Sequence, residues 1–256
     1  MKLNTSLEDL KKLHKKKCNQ IIFYSETLKN YKFIENLYKF ILVQKNSFIF
    51  ESVEKGKIRG RYTIIGFNPD KIYNIKNNRI IIDDFKKKKI VRKNVLKYLN
   101  DLFEDFKVKQ SPNLPRMSSM LVGYFSYDII RLIEKIPNQC QNDINIPDIR
   151  LIRPKNLIIY DNLKKKIFYI HNIFKDENIL DYELKYQKIK KNFKEFQNFG
   201  RINLPENFHK NKKKIKVKSN ITKSKFKEIV LKAKEYIRKG DIFQVVLSQR
   251  FEAQTD

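Results

Sequence analysis

A carboxylate and a hydroxyl stand side by side at Glu51 and Ser52, at the end of the run FIFES. In an alternating strand Glu51 shares a face with Ile49 and Val53. A carboxylate on an apolar face is costly unless it is paired. Arg59 or Arg61, in the expected return strand, could supply the partner, so a structural ion pair stands beside a ligand-binding role. A second group is Tyr124, Tyr127 and Asp128 in LVGYFSYDIIRLIEKIP. Tyr and Asp at a strand–helix junction could bind a ligand, but Asp128 as the cap of the following helix is the favoured reading. A third group is Gln244, Ser248 and Arg250, which alternate along DIFQVVLSQRF with Ile242 and Val246. Such a mixed face could line a ligand site or be the solvated side of a strand, and we assign these three residues no roles.

Other chemistries find no support in the spacing. His14, His171 and His209 are isolated from one another and from acids at metal-ligand or triad spacing. Cys18 and Cys140 form no CxxC, and two cysteines make no disulfide framework; a reduced, unpaired state is expected. No GxSxG, P-loop or GxGxxG is present. The RGR of residues 59–61 is too short a signal for phosphate binding.

Positioning these groups requires strands and helices in alternation. Ile34, Leu37, Tyr38, Ile41 and Leu42 predict an amphipathic helix over 31–45. Residues 47–53 and 61–67 predict two strands joined by a charged turn containing Gly56 and Gly60. Residues 71–75 and 79–82 predict a hairpin around Asn77–Asn78. A helix follows from Val95 to Phe106, then a strand over 121–127 continuing as a helix over 128–135. Residues 157–160 and 167–173 predict a hairpin, and Ile179 to Phe196 a long helix ending near Gly200. Residues 1–17 are polar and lysine-rich with a weak helical pattern.

Residues 201–218 carry Pro205, several Asn and the run HKNKKKIKVK, the composition of a linker. Beyond it Phe226, Ile229, Val230, Ala233 and Ile237 form one helical stripe. Thr222 is placed to cap that helix, and Gly240 to end it in a left-handed conformation. A strand over 242–251 is expected next. The expected class is α+β: antiparallel hairpins packed with helices, then an incomplete helix–strand of a second α/β domain. The expected domains are 18–200, a basic linker over 201–218, and the start of a second domain over 219–256. A strand so near residue 256 lacks neighbours, so the chain is read as the front part of a longer protein.

The 256 residues are 41% hydrophobic and 12% aromatic, enough for a buried core, and carry a formal net charge of +28. Such a charge points toward nucleic acid or an anionic membrane. Here, however, the lysines are spread over every segment, as on a solvated surface. No apolar run reaches the ~18 residues of a membrane span, and the N-terminus has no apolar signal core. A cytoplasmic protein with no nucleic-acid or membrane partner is expected.

Three segments together resemble component I of anthranilate synthase, in the chorismate-binding enzyme family. AKEYIRKGDIFQVVLSQRF resembles the opening of the chorismate-binding domain, FIFESVEKGKIRGRYTIIGFNPD the family's Leu-Leu-Glu-Ser segment with its Gly-Arg-Tyr-Ser strand, and LVGYFSYDIIRLIEKIP its Gly-Tyr-x-x-Tyr-Asp segment. The resemblance implies a regulatory N-terminal domain with Ser52 and Glu51 at a tryptophan feedback site. Ser52 would bond the amino acid's polar end and Glu51 would order the pocket. Phe-Ile-Phe replaces the usual leucines before Glu51, keeping hydrophobicity but not shape. The resemblance further implies conversion of chorismate to anthranilate and pyruvate with ammonia from a glutamine amidotransferase subunit. It also implies a magnesium ion, with the catalytic and magnesium-binding residues downstream of Asp256. Aminodeoxychorismate synthase component I, a standalone amino-acid-sensing module and a basic nucleic-acid-binding protein are the alternatives.

Overall fold

The computed structural model describes residues 1–28, 32–51, 60–137, 142–201 and 216–254, apart from the side chains of residues 42 and 199–201. Two compact units divide the chain, Met1–Asn203 and Leu204–Asp256. No helix among the described residues is long and apolar enough to cross a membrane.

The first unit is built on an antiparallel sheet. Its strands are β1 (Gln20–Thr27), β2 (Phe48–Glu51), β3 (Tyr62–Lys76), β4 (Arg79–Asp83), β5 (Lys88–Val91), β6 (Val122–Phe125), β7 (Ile149–Asp161) and β8 (Lys166–Ile173). The main order is β1-β8-β7-β3-β4-β5, with β2 pairing β3 and β6 pairing β7. Four helices accompany it: α1 (Leu7–Lys15), α2 (Lys32–Leu42), α3 (Val95–Phe106) and α4 (Tyr182–Arg201). The mixture of hairpins and helices is the α+β arrangement that the sequence predicts.

Alternation along the strands sorts the core into faces. Ile65, Phe67, Ile158, Tyr160, Ile167 and Tyr169 lie with Ile22 under Leu10 of α1, Ile34, Leu37 and Ile41 of α2, and Ile189 and Phe193 of α4. Their neighbours Ile64, Leu157, Ile159, Phe168 and Ile170 form a second cluster, with Ile21, under Leu114 and Met120. At the far end of β3, Tyr73 and Ile75 pack with Val95 and Leu99 of α3. Residues 1–17 are part of this core. Ser6 caps α1 by accepting from the Asp9 amide at 3.1 Å, and Leu10 is fully buried.

The strands of the first unit depart from the sequence expectation at several points. β1 and β5 went unread, although β1 pairs with β8 from Gln20↔Ile173 to Thr27↔Lys166 and β5 with β4 from Ile80↔Val91 to Asp83↔Lys88. The expected strands at 61–67 and 71–75 are one continuous β3. Asn68 adopts φ 51°, and the register with β7 shifts between Pro69 and Lys71. Such a bulge absorbs a residue without ending the strand, and Asn tolerates the left-handed backbone. β7 begins at Ile149, eight residues before the predicted start, because its first residues pair with both β3 and β6. The Asn77–Asn78 hairpin forms as predicted, both residues at positive φ and Lys76 opposite Arg79.

In the second unit α5 spans Lys223–Lys239. Thr222 Oγ1 accepts from the Lys225 amide at 3.2 Å, and Gly240 ends the helix at φ 78°. The strand expected over 242–251 does not form. Only Phe251–Ala253 (β10) is a strand, paired with Val217–Ser219 (β9). The reason is that neither side of the segment is covered: Phe243 is 93% and Val246 83% exposed. A strand with no covered face gains little over a solvated chain.

Candidate functional site

Glu51 closes β2, opposite Thr63 of β3. Its position is set from the other end of the strand. Ser47 Oγ donates to the carbonyls of Ile41 at 3.1 Å and Gln44 at 2.8 Å, satisfying the end of α2. Asn46, at φ 54°, turns the chain into β2. Its Oδ1 accepts from Arg150 Nη2 at 3.1 Å, while Arg150 Nη1 donates to Asn74 Oδ1 at 2.8 Å. Arg150 thus fastens the entry of β2 to β3 and β7. Sequence reasoning missed it, because its partners lie 76 and 104 residues away.

Phe48 pairs with Gly66 across the β2–β3 ladder. A Cβ placed on Gly66 would lie 2.1 Å from Phe48 Cε1 and 2.2 Å from Cζ. The ring therefore occupies the volume of a side chain that Gly66 does not have. From there Phe48 reaches two clusters, one around Ile64 and Leu157, the other around Ile72, Val122 and Ile152. Met120 packs on both as well. The residues before Glu51 and the residues opening β6 thus rest on shared apolar ground, although about seventy positions separate them. The ring of Phe50 lies tilted against that of Phe48, centroids 4.9 Å apart, and Phe50 is 48% exposed.

β6 brings in the second group. Gly123 lies so close to β7 that a Cβ there would stand 1.7 Å from the carbonyl oxygen of Arg150. Tyr124 donates its hydroxyl to the Pro147 carbonyl at 3.1 Å, and Tyr127 is 91% exposed. A 3₁₀ helix follows over Tyr127–Leu132. The expectation that Asp128 caps it is corrected. Ser126 holds the cap position, and Asp128 lies inside the first turn, accepting from Arg131 Nε at 3.2 Å. Arg131 Nη1 also donates to the carbonyls of Ile136 and Pro137, both at 2.8 Å. Asp128 and Arg131 together brace the turn.

Glu51 is corrected in one respect. It is exposed rather than buried on an apolar face. Arg61 is not its partner: the guanidinium forms a two-pronged bond to Asp161, with Nη2 2.7 Å from Oδ2 and Nε 3.1 Å from Oδ1. That hydrogen bond raises the pKa of Arg61. Burial opposes ionisation of Asp161, but Arg61 and the amides of Lys164 and Leu163 hold it below its usual value. Ser52, Val53 and Arg59 lie outside the described residues, as do Cys140 and His209.

Gln244 and Ser248 are exposed, and with no strand over 242–250 they share no strand face with Arg250. Arg250 Nη2 pairs with Glu252 Oε1 at 2.8 Å, and its amide donates to Asn220 Oδ1 at 2.9 Å. Gln249 fixes the segment instead, donating to Ser219 Oγ at 2.6 Å. Among the described residues, no group of three or more His, Cys, Asp or Glu is arranged to hold a metal ion.

Residues 45–256 match the family described as chorismate binding enzyme. Anthranilate synthase component 1 of Acetivibrio thermocellus is 39% identical over 215 residues, 82% of this chain and 43% of that protein. The Aquifex aeolicus protein of the same name is 33% identical over 259 residues, 98% of this chain and 51% of its own. The crystal structure of anthranilate synthase component I from Streptococcus pneumoniae shares the fold at TM-score 0.61 and 26% identity, over 86% of this chain and 47% of the other. The chain spans about half the length of the curated relatives it matches. With a family match over most of its length and a common fold, this chain belongs to the chorismate-binding enzyme family.

Proposed function

We propose that this chain is the N-terminal part of component I of an anthranilate synthase. Such an enzyme converts chorismate and glutamine-derived ammonia to anthranilate and pyruvate in tryptophan biosynthesis. The observation that carries the reading is the meeting of two motif segments on one apolar cluster through Phe48, Met120 and Val122. The names of its relatives support it, since they are called anthranilate synthase component 1.

In this reading the segment of Glu51 and Ser52 is the tryptophan feedback site. Ser52 bonds the polar end of the inhibitor, and Glu51 orders the pocket. The partner is a glutamine amidotransferase subunit, and the protein works in the cytoplasm. Magnesium does not fit the described residues, among which no group of three or more His, Cys, Asp or Glu is arranged to hold it. The catalytic and magnesium-binding residues belong, in this reading, to the half of the relatives' length that this chain does not span.

The test is an assay of the purified 256-residue chain with chorismate, ammonium and magnesium, read by anthranilate fluorescence. No product is expected. Turnover of chorismate by this chain alone would overturn the placement of the chemistry.

A further inference from the structure

A cavity of about 330 Å³ opens in the first unit, between α3, the paired strands β3 and β7, and the residues that follow β8. It shares no lining residue with the segment of Glu51, and its volume is that of a small-molecule site. Its most buried residues define what it could hold.

Alternation places Lys71 and Tyr73 on one face of β3, with Arg153 of β7 opposite Lys71. All three line the cavity. Arg153 is 7% exposed and Tyr73 3%. The guanidinium lies 4.0 Å over the Phe174 ring, and Phe106, also in the lining, packs on Phe174 with centroids 5.8 Å apart. Nε donates to Asp70 at 2.8 Å, and Nη2 to Asp70 at 2.7 Å and Asp176 at 3.0 Å. The two acids thereby fix the plane of the guanidinium and leave Nη1 unspent.

Nη1 makes no hydrogen bond among the described residues, and neither does the hydroxyl of Tyr73 or of Tyr98, which lines the cavity from α3. None of these three atoms is sealed in the interior without a partner, so each opens to the cavity. Burial pushes the pKa of both phenols up, that of Tyr98 to about 12, while the charge of Arg153 pulls both down. Both hydroxyls therefore lie within the field of one guanidinium, and both keep their protons at neutral pH. An N–H and two O–H donors facing one space suit an oxygen acceptor, and a charged one best.

The other charges limit that acceptor to a single charge. Lys71 is paired with Asp176 and Lys175 with Asp105, while Lys93 and Asp101 add one charge of each sign. A lining so nearly neutral does not gather a polyanion. Ile82, Leu102 and Phe106 give the cavity an apolar wall, against which a ring packs well.

We propose that this cavity binds a small aromatic monocarboxylate. Its carboxylate accepts from Arg153 Nη1 and the Tyr73 and Tyr98 hydroxyls, and its ring lies against Leu102 and Phe106. A ligand held there ties α3 to the β3–β7 pair, and because it binds only the folded chain it raises the unfolding midpoint.

The experiment titrates the full 256-residue chain with benzoate, with benzamide (the neutral isostere) and with inorganic phosphate. Backbone amide shifts locate the binding, and thermal unfolding measures its effect on stability. Benzoate is expected to move the amides of residues 71–73, 98–106 and 153 and to raise the midpoint, with benzamide and phosphate at least about tenfold weaker. Tyr73→Phe and Tyr98→Phe each remove a hydroxyl that holds nothing in the folded chain. Each should leave the midpoint without ligand unchanged and weaken benzoate about tenfold, the loss of one hydrogen bond to a charged group. A tyrosine that served the fold alone would move the midpoint and leave the affinity. No benzoate shift at these amides, equal binding of benzamide or phosphate, or unchanged affinity in both variants would overturn the proposal.

Discussion

The ring of Phe48 occupies the place where a side chain on Gly66 would stand, 2.1 Å from that residue's absent Cβ. A glycine in mid-strand ordinarily weakens a sheet. Here it lets an aromatic ring from the neighbouring strand lie across β3 and reach Val122 and Ile152. Phe48 is thus matched to a glycine eighteen positions on.

Gly66→Ala should destabilise the first unit by about 1–3 kcal/mol, the cost of overpacking. Phe48→Leu in the same chain should recover part of that loss, because the smaller side chain can yield. Urea unfolding of the two single variants and the double variant measures the coupling. Strict additivity would show that the ring and the glycine do not share space.

Gly123→Ala should be worse tolerated. The atom it would meet at 1.7 Å is the Arg150 carbonyl oxygen, in backbone that cannot rotate away. β6 is expected to detach from β7. Amide hydrogen exchange would then show lost protection at residues 122–125 with β3 protection retained.

Arg153 should be sensitive to removal of its acids. Its guanidinium is 9% exposed, bonded to Asp70 and Asp176, and stacked 4.0 Å over Phe174. Asp70→Asn leaves a buried charge short of a partner, expected to cost about 3–5 kcal/mol. The loss should appear as a lowered urea midpoint with an unchanged slope.

Mild acid should destabilise the first unit through His171. His171 is buried; its Nδ1 lies 2.6 Å from Asn156 Oδ1 and its Nε2 has no partner. Burial, and then Lys185, Lys155 and Lys188, hold its pKa well below the ordinary 6.5. The unfolded chain then binds a proton that the folded chain refuses, so stability is fully present above about pH 6.5 and falls as pH drops below it. Glu177 also faces this group; burial pushes its pKa up, but Lys155 and Lys185 pull it below the usual value, so its contribution is lost only at lower pH. Urea midpoints between neutral and mildly acidic pH should decline in the native chain, and more gently in His171→Gln.

The proposed feedback site makes a prediction of its own: the chain should bind tryptophan, and Ser52→Ala should weaken that binding about 10- to 150-fold in calorimetric titration, the cost of one hydrogen bond to a charged group. Unchanged affinity would remove Ser52 from the feedback site.

Among the described residues, periodicity made four of the five α-helices legible, since the apolar stripes of α2, α3, α4 and α5 are spaced by local geometry alone. Thr222 and Gly240 could be read for the same reason: a cap depends on its own few neighbours. The strands were harder. Asn68–Pro69 reads as a break, yet the ladder to β7 carries β3 through it. DIFQVVLSQRF has strand composition, yet gains neither pairing nor cover over most of its length. At the candidate site, the residue types of Glu51, Tyr124 and Asp128 could be picked out by chemistry. What holds them could not, because Arg150–Asn46 and Phe48–Gly66 are meetings made by the completed sheet.

β3 and β7 pair along nearly their full lengths, from Tyr62↔Asp161 to Ile75↔Ile149. β2 leans on one end of this pair and β6 on the other. Neither short strand has a sheet of its own to retreat to. Each can therefore peel away while the long pair holds, so the two motif segments open at a lower free energy than the ladder they lean on. A protease acting on the native chain should reach β2 and β6 before it reaches β3 or β7.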